Sequence, residues 1–157
     1  MTIAIDVGAT GRSPTLNQVC YRTLHLPQPW LLSTYESIGG YSVWKKILTE
    51  KTPPAELLEK IKQSNLRGRG GAGFPTGIKW SFIKPESPGP KYLLCNADEG
   101  EPGTAKDRDI LRFNPHQLIE GICIGAYVMG IDVAYIYIRG EFEEPIVRVN
   151  AAIEEAR

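Results

Sequence analysis

Between Tyr92 and Ile138 the hydrophobic pattern fixes a strand, a helix and a second strand, and this order constrains the fold more than anything else in the chain. Lys91-Tyr92-Leu93-Leu94-Cys95-Asn96 reads as a short buried strand, 92 to 96. Asn114 caps and Pro115 opens a helix to about Met129, stopped by Gly130, and Val133 to Ile138 follows as a β-branched and aromatic strand. A strand–helix–strand unit of this kind is right-handed and makes its strands parallel neighbours, so the fold class is α/β. Pro145 opens a further helix with Ile146, Val149, Ile153 and Ala156 on one face. Parallel sheets need more than two strands and cover on both faces, so the expected architecture is the front part of a larger, truncated sheet.

The second constraint is the stretch from Leu66 to Trp80, with glycines at 68, 70, 71, 73 and 77 and the cations Arg67, Arg69 and Lys79. Glycines let successive backbone N–H groups turn toward one anion, and the first turn of a following helix adds free donors. Gly68, Gly70 and Gly73 match G-x-G-x-x-G, but a Rossmann fingerprint needs a strand before the loop and an unbroken helix after it. Here Leu57, Leu58 and Ile61 give the upstream segment a helical period, and Pro75 would interrupt the helix. With Pro75 as the first residue of a new short helix running through Phe82, the reading is helix, phosphate loop, helix: non-classical and Rossmann-like only in outline. A Gly-rich surface connection that holds nothing is an equally fair reading of these residues alone.

The strand at 92 to 96 delivers Asn96-Ala97-Asp98-Glu99-Gly100-Glu101-Pro102-Gly103 at its C-terminal end, where ligands sit in open α/β sheets. A solvated turn explains the same composition. Carboxylates repel a phosphate, so in a shared site they must face another part of the ligand. Acceptor side chains suit ribityl or ribose hydroxyls and ring N–H groups, while Asn96 both donates and accepts. A ligand anionic at one end and polyhydroxylic in the middle, such as a flavin mononucleotide or a nicotinamide dinucleotide, meets both demands.

Leu66 through Phe82 and Leu94 through Arg108 resemble the flavin-binding subunit of respiratory NADH dehydrogenase, complex I, and the related flavin subunits of NAD-dependent hydrogenases and formate dehydrogenases. Leu94-Cys95-Asn96-Ala97-Asp98-Glu99-Gly100-Glu101-Pro102-Gly103-Thr104 is the densest match, and it continues weakly through Pro115–Gly121 to Tyr137-Ile138-Arg139-Gly140-Glu141-Phe142. The resemblance implies that Gly68, Arg69, Gly70, Gly71 and Lys79 wrap the FMN phosphate, and that Asn96, Asp98 and Glu99 hold the ribityl chain and the isoalloxazine edge. It implies that Phe74 and Phe82 stack on NADH while Glu101 orients it. Offset stacking on flat rings makes physical sense of such aromatics, although ordinary core packing is as fair a reading of Phe82, one turn after Ile78. The implied reaction is hydride transfer from NADH to FMN, followed by electron release to iron–sulfur subunits of a multi-subunit complex and onward to quinone. The flavin carries that chemistry, so no catalytic acid/base pair is expected. The alternative is a non-catalytic nucleotide-binding or docking fragment of a hydrogenase or formate dehydrogenase assembly. The family's [4Fe-4S] cysteine motif is absent from this sequence.

Cys20, Cys95 and Cys123 are odd in number and irregular in spacing, which argues against a disulfide framework and against cluster ligation, and no metal site is expected. His25 and His116 read as structural or surface residues. Balanced charge, 18 basic against 18 acidic residues, offers no field for nucleic acid. No apolar run reaches spanning length, so the expected location is cytoplasmic or on the mitochondrial matrix side, with any membrane contact made through partners. Residues 1 to 34 form an irregular segment ahead of the FMN-binding part, 35 to 157, which starts with one helical stretch from Tyr35 to Leu48. Gly121 and Gly125 either leave a groove for close approach to the sheet or are a weakness in their helix. Lys79 and Glu99 are both expected to face ligand rather than core.

Overall fold

The computed structural model describes residues 19–84 and 86–157. Its elements run in the order α1 (Leu32–Ser37), α2 (Ser42–Glu50), α3 (Pro54–Gln63), α4 (Thr76–Trp80), β1 (Tyr92–Ala97), α5 (Lys106–Phe113), α6 (Pro115–Met129), β2 (Val133–Ile138) and α7 (Glu143–Ala156). β1 and β2 pair in parallel, with Tyr92 opposite Val133 and Ala97 opposite Ile138. The α/β class and the parallel strand pair joined through α6 are therefore as expected.

Several boundaries differ from the sequence reading, each for a local reason. The single helix expected from Tyr35 to Leu48 is two helices. Gly39 takes a left-handed φ of 84°, and the Tyr35 ring fills the space where a Cβ on Gly40 would stand, 2.1 Å from its nearest carbon. Pro75 precedes α4 as its cap residue, and α4 ends at Trp80, short of Phe82. α7 starts two residues before Pro145, whose missing N–H falls among the first-turn donors that have no helical partner anyway. Of the irregular segment 1 to 34, residues 1–18 lie outside the described residues, residues 19–31 run in turns, and α1 begins at Leu32. α5 was not foreseen at all.

α6 is the hub. It is apolar around most of its circumference and contributes to all three buried clusters, as a helix enclosed by neighbours should. Ile119 joins Tyr35, Tyr41 and Ala152; Val128 joins Ile47 and Leu57; Leu118 packs beside Ala97, Leu111 and Val149. Gly125 lets the Trp80 ring of α4 settle on α6, because a Cβ there would stand 3.2 Å from two ring carbons. The close approach expected at Gly125 is thus to a tryptophan and not to the sheet, and a Cβ on Gly121 would meet open space.

The two sheet faces differ. Leu93, Cys95 and Ala97, with Ile136 and Ile138, turn toward the helices, while Leu94, Tyr135 and Tyr137 on the other face are more than half exposed. The described residues do not cover that face. Among the described residues no helix is long and apolar enough to cross a membrane.

Candidate functional site

After α3 the chain closes on itself in a narrow antiparallel pinch. Thr76 N–H donates to the Leu66 carbonyl (2.8 Å) and Gly68 N–H to the Phe74 carbonyl (2.9 Å), with Arg67 and Pro75 facing across. Arg67 Nη1 donates to the Gly73 carbonyl (3.1 Å), so this cation serves the loop's own backbone. Gly71 and Gly73 have φ of 115° and 61°, values that L side chains resist. Gly70 has no such φ, and a Cβ on it would meet nothing within 4 Å. Among the described residues, neither packing nor backbone conformation requires glycine at 70.

Arg69 and Lys79 are exposed and make no ion pair or side-chain hydrogen bond among the described residues. Phe74 and Phe82 stand beside each other with ring centroids 6.1 Å apart. Phe82 is 66 % exposed, which removes the core reading of that ring. What anchors the loop lies beneath it, where a Cβ on buried Gly77 would stand 2.7 Å from the Lys62 backbone nitrogen. α3 and α4 therefore meet backbone to backbone.

The loop leaving β1 is built the opposite way. The Asp98 N–H folds back onto Asn96 Oδ1 (3.0 Å), a local turn that leaves both side chains exposed. Glu99 is buried. Its carboxylate accepts from the N–H groups of Asp107 (2.9 Å) and Arg108 (3.1 Å) in the first turn of α5, with Lys106 Nζ 3.7 Å away. A carboxylate there satisfies two donors that the helix cannot and meets the positive end of its dipole. Glu99 thus does not turn away from the protein as expected: both oxygens are engaged with α5. Burial opposes charge on Lys106, but its hydrogen bond to Asp107 and the charges of Asp107 and Glu99 hold its pKa above the usual lysine value. Glu101 lies exposed further along the turn.

Two residues of this region escaped the sequence reading. Arg139, just past β2, donates from Nη1 to the Glu99 carbonyl (2.6 Å) and pairs with Glu141 through Nε and Nη2. Lys106 joins the cluster from the helix that was not foreseen. Thr104 and Asp107 stand at the spacing of a capping box, but the cap residue of α5 is Ala105, no side-chain bond of that box forms, and the first-turn donors go to Glu99 instead. Burial and the nearby Asp107 charge raise the Cys95 thiol pKa, so it behaves as a small apolar group.

The structure brings Phe74 together with Phe82, and Asn96 with Asp98 and Glu99. It does not join the two groups: among the described residues no hydrogen bond, ion pair or ring contact links the Gly-rich loop to the carboxylate loop. Each reaches α6 separately, the first through Trp80 and the second through α5. Nor do the described residues hold a group of His, Cys, Asp and Glu arranged to bind a metal.

His116 is structural, as expected, and fully buried. Tyr41 Oη lies 3.0 Å from its Nδ1 and Glu155 Oε2 lies 3.1 Å from its Nε2, while buried Glu120 accepts from Tyr35 Oη (2.5 Å) and the Tyr41 N–H (3.1 Å). Together they fasten α1 and α2 to α6 and α7.

Residues 61–157 match the Nuo51 FMN-binding domain family. Over 138 residues the chain is 57% identical to an NADH-quinone oxidoreductase subunit of Rhizobium meliloti (strain 1021), covering 88% of this chain and 32% of that protein. It is 48% identical over 143 residues to the corresponding NADH-quinone oxidoreductase subunit of Aquifex aeolicus (strain VF5), covering 91% of this chain and 33% of the relative. The chain thus spans about a third of the length of these relatives. Among solved structures, an NAD+-reducing [NiFe]-hydrogenase in the H2-reduced state is similar with a TM-score of 0.61 and 44% identity, over 64% of this chain and 18% of that one. With its parallel strand pair, its Gly-rich loop and this match over more than half its length, the chain belongs to the Nuo51 FMN-binding domain family.

Proposed function

We propose that this chain supplies the phosphate-binding and ribityl-binding parts of an FMN site in an NADH-oxidising flavin subunit. One observation carries the reading: among the described residues nothing in the glycine-lined turn requires glycine at 70, and neither Arg69 nor Lys79 has a partner. A phosphate dianion needs backbone donors that can be approached closely and cations not already paired, and this turn offers both.

Gly68, Arg69, Gly70, Gly71 and Lys79 would hold the FMN phosphate, and Asn96 and Asp98 the ribityl hydroxyls. Glu99 serves the same loop from beneath, fixing its position through α5 while its backbone stays near the ligand side. Phe74 and Phe82 offer exposed ring faces for NADH, and Glu101 a carboxylate to orient it. FMN, when bound, accepts a hydride from NADH and passes electrons on singly. The onward route is to iron–sulfur subunits of a multi-subunit complex and from there to quinone, with the chain on the cytoplasmic or matrix side of the membrane. The related proteins are named as subunits of NADH-quinone oxidoreductases, which supports this placement.

A second reading, a docking or nucleotide-binding module that does not turn over NADH, is favoured by the lack of contact between the two loops. A titration with FMN followed by flavin fluorescence, with NADH added at saturation, separates them. Saturable quenching with bleaching of the bound flavin supports the working site. Binding without bleaching supports the module. A folded chain that leaves FMN fluorescence unchanged overturns the flavin reading for these residues.

A further inference from the structure

We propose that Arg139 is a positioning residue: from the end of β2 it holds the carboxylate loop of β1 in place, and so sets where Asp98 meets a flavin nucleotide and Glu101 meets NADH. The inference rests on the flavin reading above for its ligand, but not for its geometry. Sequence singled out Tyr137–Phe142 without giving Arg139 any task, and the proposed contacts to FMN and NADH leave it unused.

The geometry is specific. The guanidinium has a planar fork of donors, and three of its nitrogens are engaged. Nη1 reaches the Glu99 carbonyl at 2.6 Å, while Nε and Nη2 lie 3.3 and 3.2 Å from the two Glu141 oxygens. An exposed arginine–glutamate pair by itself contributes little. Here the pair orients the fork so that its third nitrogen bonds a backbone atom of a different loop, at a short charge-assisted distance.

Glu99 is consequently held twice, by α5 through its side chain and by Arg139 through its carbonyl. The exposed neighbours Asp98 and Glu101 flank that fixed point. Asp98, Glu99 and Glu101 also crowd three negative charges into four residues. Arg139 is a cation brought to them from the neighbouring strand, and the Asp98 and Glu99 charges act on it in return. Lys106, the other cation at hand, is closest to Asp107, at 2.6 Å.

Arg139→Gln removes charge and fork, Arg139→Lys keeps the charge without the fork, and Glu141→Gln weakens the orienting pair but leaves the Glu99 bond. Amide hydrogen exchange on the ligand-free chain reads the tether, and FMN titration by fluorescence reads its consequence. In Arg139→Gln and Arg139→Lys alike, the amides of Asp107 and Arg108, which depend on the Glu99 carboxylate, should exchange roughly tenfold faster while those of α7 keep their rates. FMN affinity should fall roughly tenfold in both and less in Glu141→Gln. Unchanged amide exchange in Arg139→Gln overturns the positioning role, and so does an Arg139→Lys chain that binds FMN like the wild type, since charge alone would then suffice. If the wild-type chain binds no FMN, the flavin half of the proposal falls with the flavin reading, and the exchange rates alone decide the tether.

Discussion

The Gly-rich loop and the carboxylate loop look equally functional in the sequence, since each concentrates charge beside turn residues. They are held by opposite means. Around Gly68–Gly73 the backbone does most of the holding, through the pinch at Leu66 and Thr76 and the contact at Gly77, with one added bond from Arg67 to the Gly73 carbonyl, and the cations Arg69 and Lys79 project without partners among the described residues. Around Asn96–Gly103 side chains do the holding: Glu99 caps α5 and Arg139 grips the Glu99 backbone. Arg69 and Lys79 in the first loop are available to a ligand because no described residue pairs with them, whereas Arg67 is used by the loop's own backbone. In the second, availability must be judged residue by residue, with Asp98 and Glu101 exposed and Glu99 committed.

The sharpest way to break this contrast is to remove Glu99. Glu99→Ala leaves the Asp107 and Arg108 N–H groups without their acceptors at a partly buried helix start, at a cost of about 2–3 kcal/mol. Glu99→Gln keeps one acceptor oxygen and should cost less. Urea denaturation followed by far-UV circular dichroism measures both, and a wild-type midpoint for Glu99→Ala would mean that this loop is no more dependent on side chains than the other.

Gly77→Ala tests the backbone anchoring of the Gly-rich loop. The new methyl would have to stand 2.7–2.8 Å from backbone atoms of Lys62, which cannot swing aside as a side chain can. Forcing α3 and α4 apart should cost about 1–3 kcal/mol. The same denaturation experiment decides it, and a neutral result would place the anchor elsewhere.

Much of this architecture was legible because local rules and tertiary packing agree there. The apolar run of β1, the Pro115 start and Gly130 stop of α6, and the strand at Val133 each carry a signal that the tertiary structure reinforces. α5 was missed because its cap is supplied from Glu99, seven residues before the helix begins, and no local pattern encodes that. The break between α1 and α2 was missed because it depends on the Tyr35 ring lying against Gly40. The role of Arg139 was invisible for the same reason: its key partner is a backbone carbonyl 40 residues away. Sequence marked where charge gathers, but which charges are spent on the fold is a three-dimensional fact.

Outside both loops, the polar network at His116 gives a smaller effect that a pH series resolves. Burial holds the imidazole pKa below its ordinary 6.5, outweighing the hydrogen bond and charge of Glu155 and the charge of Glu36. The neutral ring fits the contacts, accepting from Tyr41 Oη at Nδ1 and donating from Nε2 to Glu155. As pH falls through 6.5 the unfolded chain takes up a proton that the folded chain still refuses, so stability is full above 6.5 and declines below it. The slope from this one group is at most about 1.4 kcal/mol per pH unit. His116→Gln should flatten that decline in urea midpoints, and an unaltered pH profile would assign the decline to other groups.

The smallest expected change in stability is also the most informative about the contrast between the loops. Among the described residues, Gly70→Ala introduces a methyl that meets nothing within 4 Å and no left-handed φ, and Lys79→Ala removes a side chain without partners. Both should leave the urea midpoint within about 0.5 kcal/mol of wild type. On the proposed reading, FMN affinity should nonetheless fall roughly tenfold in each, because the methyl would stand where the phosphate approaches the backbone and the lysine would be its cation. Gly70→Ala compared with Gly77→Ala is then a matched pair: the same added methyl, one on the ligand side of the loop and one beneath it. If Gly70→Ala lowers stability as much as Gly77→Ala does, the turn is a packed structural connection. If neither Gly70→Ala nor Lys79→Ala alters FMN affinity, the free cations of the first loop are surface charge, and the binding determinants lie with the carboxylate loop and the strand end that Arg139 ties to it.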